Sequence, residues 1–265
     1  MKNEKNQPPQ IGLETSSLMP LLEVTTRTLP LQQALRSAIQ NCDARFVTDG
    51  YSVEEAKAQI ELSFNNARQA LAKTREVTKR LNLRTPMEIG YAFVKCLAEP
   101  IYGGRHETLR WADTLADADG SWRQGLDFLE QLERALAAKR EDYAQKLCVQ
   151  RGFLRINCRD IRSYWITPDF SRDLEISIEV VANSMNPTAF MDFLVSKSPK
   201  LREINIGIND MNDLYHLYSL IRGNGITEIW TCNQKFVKRH EEYLADIQAF
   251  AYLFDPKQTK IVRIK

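Results

Sequence analysis

Cys232 and His240 form the pair whose spacing most invites a chemical role. A thiol near the carboxyl end of a predicted strand stands eight residues ahead of an imidazole, on the edge of a parallel sheet where ligand and catalytic groups gather. The interval does not suit a phosphate-binding cysteine loop. His240 also falls on the apolar stripe of its own predicted helix, where a hydrogen-bonded core imidazole is the usual occupant, so Cys232 is expected to be structural. His106, in GGRHE, reads as a surface histidine beside Glu107. His216 lies on a helix whose apolar face is already supplied by its neighbours, and is expected to face solvent. The acidic run Ala116 to Gly120 fails as a calcium loop, because setting Gly120 at the turn puts Leu115 and Leu126 where carboxylates are required. No P-loop, dinucleotide glycine fingerprint, nucleophile elbow or HExxH helix occurs in the sequence. No catalytic residue, metal ligand or cofactor is therefore assigned.

Basic residues gather in two places. Lys73, Arg75, Lys79, Arg80 and Arg84 close one predicted helix, where the helix dipole accounts for them. Arg155, Arg159 and Arg162 surround Tyr164 and Trp165, a mixture of charge and stacking surface that nucleic acid or a phosphate-rich partner would use. Arg155, Arg159, Arg162 and Trp165 are the nucleic-acid candidates.

The elements that must carry these residues follow from composition and periodicity. The 265 residues are 43% hydrophobic and 26% charged, values that exclude collagen-like, low-complexity and wholly disordered chains. Lysine plus arginine number 36 against 34 acidic residues, a net charge of +2, so no global field selects a polyanionic partner. Five widely spaced cysteines without a CxxC pair argue against a disulfide framework and a zinc module. The uncharged stretches fall short of the ~20 apolar residues of a membrane span, and the first ten residues have no apolar signal core. A cytoplasmic protein is the expectation.

Residues 1–19 are polar, carry Pro8 and Pro9, and are expected to form a disordered arm. Residues 20–149 carry helix punctuation. Ser52 with Glu55, Thr85 with Pro86 and Glu88, and Ser121 with Gln124 have the spacing of capping boxes. Ile60, Phe64, Ala67, Leu71 and Leu81, then Leu129, Leu132, Leu136, Tyr143 and Leu147, draw helical stripes. The expectation is an all-α bundle or long hairpin. From residue 150 to 265 short strands alternate with helices, as in Leu174, Ile176, Ile178 and Val180 against Glu175, Ser177 and Glu179. Connections of that length imply a mainly parallel sheet.

Doubly wound sheets are covered on both faces and their strands read as unbroken apolar runs. These strands do not. With Ile176, Ile178, Ile204, Ile206 and Ile229 toward the helices, the other face would present Glu179, Asn205 and Trp230, so helices on one face and an open sheet on the other are expected. Leu201, Ile204, Ile206 and Asn209 have the spacing of a leucine-rich repeat, and strands recur at intervals of 28 and 25 residues. This stretch resembles a short ribonuclease-inhibitor-like solenoid over residues 173–265. The resemblance implies a protein-binding surface on the open strand face rather than catalysis.

The expected fold class is therefore α+β: a helical bundle followed by a small α/β domain. The expected function is a non-enzymatic protein-interaction module or adaptor, with Glu179, Asn205 and Trp230 at the partner surface. Its composition would also suit a secreted bacterial effector or secretion-system component. The alternative is a nucleic-acid-binding accessory protein.

Overall fold

A computed structural model describes residues 8–22, 29–102, 108, 110–111, 114–119, 125–158, 174–183, 186–197, 208–221, 225–236 and 259–265. In chain order its elements are β1 (Gln10–Leu13), α1 (Thr15–Leu22), α2 (Leu29–Gln40), β2 (Arg45–Asp49), α3 (Gly50–Leu81), α4 (Pro86–Leu97), α5 (Thr114–Asp119), α6 (Gly125–Lys146), β3 (Phe153–Cys158), β4 (Leu174–Val181), α7 (Pro187–Lys197), α8 (Ile208–Ile221), β5 (Ile226–Thr231) and β6 (Lys260–Arg263). The protein is mixed α/β, with a mostly parallel six-stranded sheet ordered β3-β4-β2-β1-β5-β6. Among the described strands only β3 runs antiparallel to its neighbour, β4.

The chain divides into two compact units. One comprises Met1–Leu22, Pro30–Glu55 and Cys148–Lys265, the other Glu23–Leu29 and Ala56–Leu147. Most of the helical unit, Ala56–Leu147, is thus inserted in the chain between β2 and β3. It does not precede a separate α/β domain. The expected disordered arm is corrected from residue 10 onward, since Gln10–Leu13 forms β1, paired with β2 on one side and β5 on the other, and Thr15–Leu22 forms α1; residues 1–7 lie outside the described residues. The strands missed in the first part of the chain are short and buried on both faces, so neither shows the period-two alternation that marks β4.

Register decides which side chains share a face. Ile11 pairs with Phe46, and Phe46 with Ile178, while Gly12 pairs with Val47 and with Ile229. Ile178 and Ile229 therefore point to opposite faces. Phe190 and Leu194 of α7 and Leu214, Leu217 and Tyr218 of α8 pack on the face carrying Val47 and Ile229. Ile11, Leu13, Phe46, Leu154 and Ile178 are buried on the other face. Helix α1 packs against β1, β3 and β5. Because Phe153, Arg155 and Asn157 on the far side of β3 are exposed, α1 covers Leu154 and Ile156. The sheet is covered on both faces at its centre and open on one face only along β3 and β4, which corrects the expected two-layer arrangement.

Among the described strands, β2 and β1 lie between β4 and β5, which carry the first and last members, Ile176 and Ile229, of the repeat-like intervals. Residues 201–207 lie outside the described residues, and Ile208 and Asn209 begin α8.

In the helical unit, Ile60, Ala67 and Leu71 of α3 and Leu129, Leu132, Leu136 and Tyr143 of α6 are buried, whereas Leu81 is exposed. Helix α4 starts with the capping box read from the sequence: Thr85 Oγ1 accepts from the Glu88 amide and the Glu88 carboxylate accepts from the Thr85 amide. The fully buried Trp111 donates its indole N–H to Ser63 Oγ at 2.8 Å. The Ser121 box lies outside the described residues.

Gly12 lies in close contact with β5 and α8. A Cβ there would meet Ile229 Cγ1 at 3.3 Å and Leu220 Cδ1 at 3.4 Å. Gly12→Val should lower stability by about 1–3 kcal/mol in urea unfolding, and deletion of residues 1–13 should abolish cooperative unfolding. A deletion variant as stable as the full chain would contradict the placement of β1.

Candidate functional site

Among the parallel strands taken in chain order, β1 is central, β2 and β4 follow on one side, and β5 and β6 follow on the other. The order reverses at β1, and the carboxyl edge beside such a reversal is where open α/β sheets bind ligands. Here that edge carries Glu14 and Thr15 after β1, Asp49 at the end of β2, and Thr231 and Cys232 at the end of β5.

Asp49 also starts α3. Its Oδ1 accepts the Ser52 backbone N–H at 3.0 Å and its Oδ2 accepts the Ser52 hydroxyl at 2.5 Å. Asp49 thus performs the capping role expected of Ser52, and the helix begins one turn earlier than the Ser52–Glu55 spacing implies. Glu55, released from a capping box, turns to His216.

His216, on α8, is only 2% exposed. Its Nδ1 lies 3.1 Å from Asp49 Oδ2 and 2.9 Å from Ser52 Oγ, and its Nε2 lies 3.1 Å from Glu55 Oε2. Burial alone would hold this imidazole neutral. The carboxylates of Asp49 and Glu55 outweigh it and push the pKa up from 6.5 to about 10. The solvent-facing His216 expected from the helical stripe is corrected: α8 is buried on nearly every side from Leu214 to Leu220. The missed signal is the run Leu214 to Ile221, in which no Asp, Glu, Lys or Arg occurs. A helix apolar all round is a core helix, and a lone ionisable group in it needs a partner.

Glu55 is the accessible end of this chain of charges, with its side chain 27% exposed. Burial tends to raise its pKa, but bonds from His216 and from Thr15 Oγ1, the latter at 2.5 Å, lower it overall. Both bonds end on Oε2, and Oε1 has no hydrogen-bond partner among the described residues. Glu14 is held differently. Its buried carboxyl accepts the Ser16 backbone N–H at 2.7 Å, the Ser16 hydroxyl, and the Thr231 hydroxyl at 2.7 Å. Desolvation prevails over these bonds and raises its pKa.

Ser16 Oγ in turn accepts the Cys232 amide at 3.0 Å. Burial pushes the Cys232 thiol up to about 11, which leaves a protonated sulfur at neutral pH. His240 lies outside the described residues, as does His106. Among the described residues no group of three or more His, Cys, Asp or Glu side chains has the arrangement of a metal site.

The residues expected at a partner surface are not brought together. Glu179 is in register with Val47 and Trp230 with Leu13, so the two point to opposite faces. Glu179 is ion-paired with Arg45. Trp230, expected to be exposed, is only 6% exposed; it packs against Phe46 with ring centroids 5.7 Å apart and donates its indole N–H to Glu228 at 2.9 Å. Trp230 does lie opposite the helix-facing Ile229, but that face is covered, and the register through β1 and β2 puts Glu179 rather than Ile178 on the face of Ile229. Asn205 lies outside the described residues. Of the nucleic-acid candidates Arg155 is exposed on β3, while Arg159, Arg162 and Trp165 lie outside the described residues. No described helix is long and apolar enough to cross a membrane.

Two outcomes follow from this geometry. Because the folded pKa of His216 lies above 6.5, its contribution to stability is full below about 6.5 and is lost as pH rises toward about 10. Glu55, lowered, contributes above its ordinary 4.5 and loses that contribution in acid, whereas Glu14, raised, loses stability as pH climbs above 4.5. Urea midpoints of the wild type should therefore decline through the alkaline range, and those of His216→Gln should be lower and flatter there; parallel profiles would contradict the clamp. Trp230→Ala should lower stability by about 3–5 kcal/mol, and a change below about 1 kcal/mol would restore an exposed indole. Nothing among family models, curated proteins or solved structures matches the chain, which leaves the chemistry of the carboxyl edge as the basis for assigning a function.

Proposed function

We propose that the α/β unit binds a small polar molecule at the carboxyl edge of its parallel strands, with Glu55 presenting the carboxylate that meets it. The observation that carries this reading is the half-occupied carboxylate: Oε2 is pinned by His216 and Thr15, and Oε1 has no partner among the described residues. Orienting one oxygen through a buried imidazolium fixes the direction of the other. A bound group then meets a preorganised acceptor, with little side-chain entropy left to lose on binding.

Binding is the function proposed. Ser52 and His216 resemble a nucleophile and its base, yet Ser52 is fully buried and His216 already holds its proton. The lowered pKa of Glu55 suits a hydrogen-bond acceptor rather than a proton donor.

A second reading, the protein-interaction adaptor, is favoured by one observation. Phe153, Arg155 and Asn157 of β3 and Glu175 and Ser177 of β4 are exposed on the open part of the sheet beside the Arg45–Glu179 pair. The leucine-rich-repeat-like spacing of residues 173–265 belongs with this adaptor reading. Nucleic-acid binding through Arg155 would use the same surface.

Thermal unfolding of the wild type and of Glu55→Gln against a panel of small metabolites separates the readings. At a ligand concentration of about 100 Kd the wild type should gain about 2.7 kcal/mol, and Glu55→Gln should lose that gain while remaining folded. A panel that shifts neither protein, or both equally, would contradict the proposal.

A further inference from the structure

We infer that the ligand of this edge is a neutral polyhydroxylated molecule, a sugar or the sugar of an unphosphorylated nucleoside. The inference rests on the binding function proposed for Glu55 and adds the chemical class of what binds.

Three features select the class. The first concerns phosphate. In a doubly wound sheet the helix that follows the first strand offers its N-terminal amides to an anion. Here Glu14 occupies that position: its side chain takes the Ser16 amide, and its carbonyl takes the Ser17 and Leu18 amides at 2.9 and 3.1 Å. The helix end is filled by the protein's own carboxyl group, and a phosphate there would displace it.

The second feature is the kind of polar atom left unmet. Glu55 Oε1 is an acceptor without a partner among the described residues. So is Asn183 Oδ1, a buried atom two residues beyond the carboxyl end of β4. Asn183 is bonded to the Tyr215 hydroxyl, which its amide nitrogen serves, and Tyr215 adjoins His216 on α8. Each unmet atom is an acceptor that requires a donor, and hydroxyl groups supply donors without bringing charge.

The third feature bears on amines. An ammonium group on Glu55 Oε1 would share its carboxylate with the His216 imidazolium, whose Nε2 is 3.1 Å from Oε2. The two cations would stand on either side of one carboxylate. A hydroxyl meets no such repulsion.

The test uses the full chain and five probes: D-ribose, adenosine, ribose 5-phosphate, adenosine monophosphate and spermidine. Ribose or adenosine should raise the unfolding midpoint of the wild type, and its phosphorylated counterpart should bind at least about tenfold more weakly, a difference of about 1.4 kcal/mol. The shift should vanish in Glu55→Gln and persist in Glu54→Gln, an exposed neighbour. Glu14→Gln, which keeps the shape of the cap and removes its charge, should narrow the gap between the two forms. If a phosphorylated probe or spermidine binds as well as the neutral probes and still depends on Glu55, the ligand class is wrong while the binding site stands. If no probe binds but another panel metabolite binds through Glu55, the class is likewise wrong. If nothing in the panel depends on Glu55, both the class and the site fall.

Discussion

An imidazole sealed from water stays charged only where neighbouring charges supply more than solvation would have given it. His216 meets that condition by lying between two carboxylates, Asp49 on Nδ1 and Glu55 on Nε2. The partners come from separate elements: Asp49 ends β2 and caps α3, Glu55 lies six residues further along α3, and Thr15 opens α1. The packing of α8 on the sheet and the first residues of α1 and α3, which follow β1 and β2, thus meet in one ion network. Removing a single member would leave a buried charge unpaired, which typically costs about 3–5 kcal/mol, whereas the intact network need add little net stability. Its chief consequence is geometric, because it fixes where Glu55 points.

The same edge drives two glutamates apart. Glu55 is stabilised as an anion by the imidazolium and a hydroxyl, while Glu14 is buried deeply enough that desolvation prevails over three hydrogen bonds. Functional sites divide acid and base roles by such contrasts in environment, and structural ion-pair networks produce them too. Glu14 closes the helix end beside β1 and ties it to β5 through Thr231, and Ser16 extends that tie to the Cys232 amide. The strand edge is left rigid and rich in acceptors.

What the sequence discloses depends on whether an interaction is local. The Thr85–Glu88 cap is a three-residue pattern and is present as read. The alternation of β4 is visible because Glu175 and Ser177 do face solvent. By contrast β1 and β2 are short and covered on both faces, so a sequence without alternation conceals two central strands. The network is less legible still: His216 is 167 residues from Asp49 and 161 from Glu55, and only the strand order brings them together. Asp49 and Glu55 do flank a helix start, but the Ser52–Glu55 spacing points to a cap that the buried Asp49 supplies instead. The trio Glu179, Asn205 and Trp230 had a local warrant in side-chain alternation, which breaks down once intervening strands set the register.

The protonation state of His216 tests this account most directly. The chain contains three histidines, so the imidazole signals of isotopically labelled protein can be assigned by comparing the wild type with His216→Gln. The His216 ring should show imidazolium shifts throughout the neutral range and titrate only toward about 10. A neutral imidazole at pH 7, or a transition at or below the ordinary 6.5, would contradict the clamp and the orientation of Glu55 that depends on it.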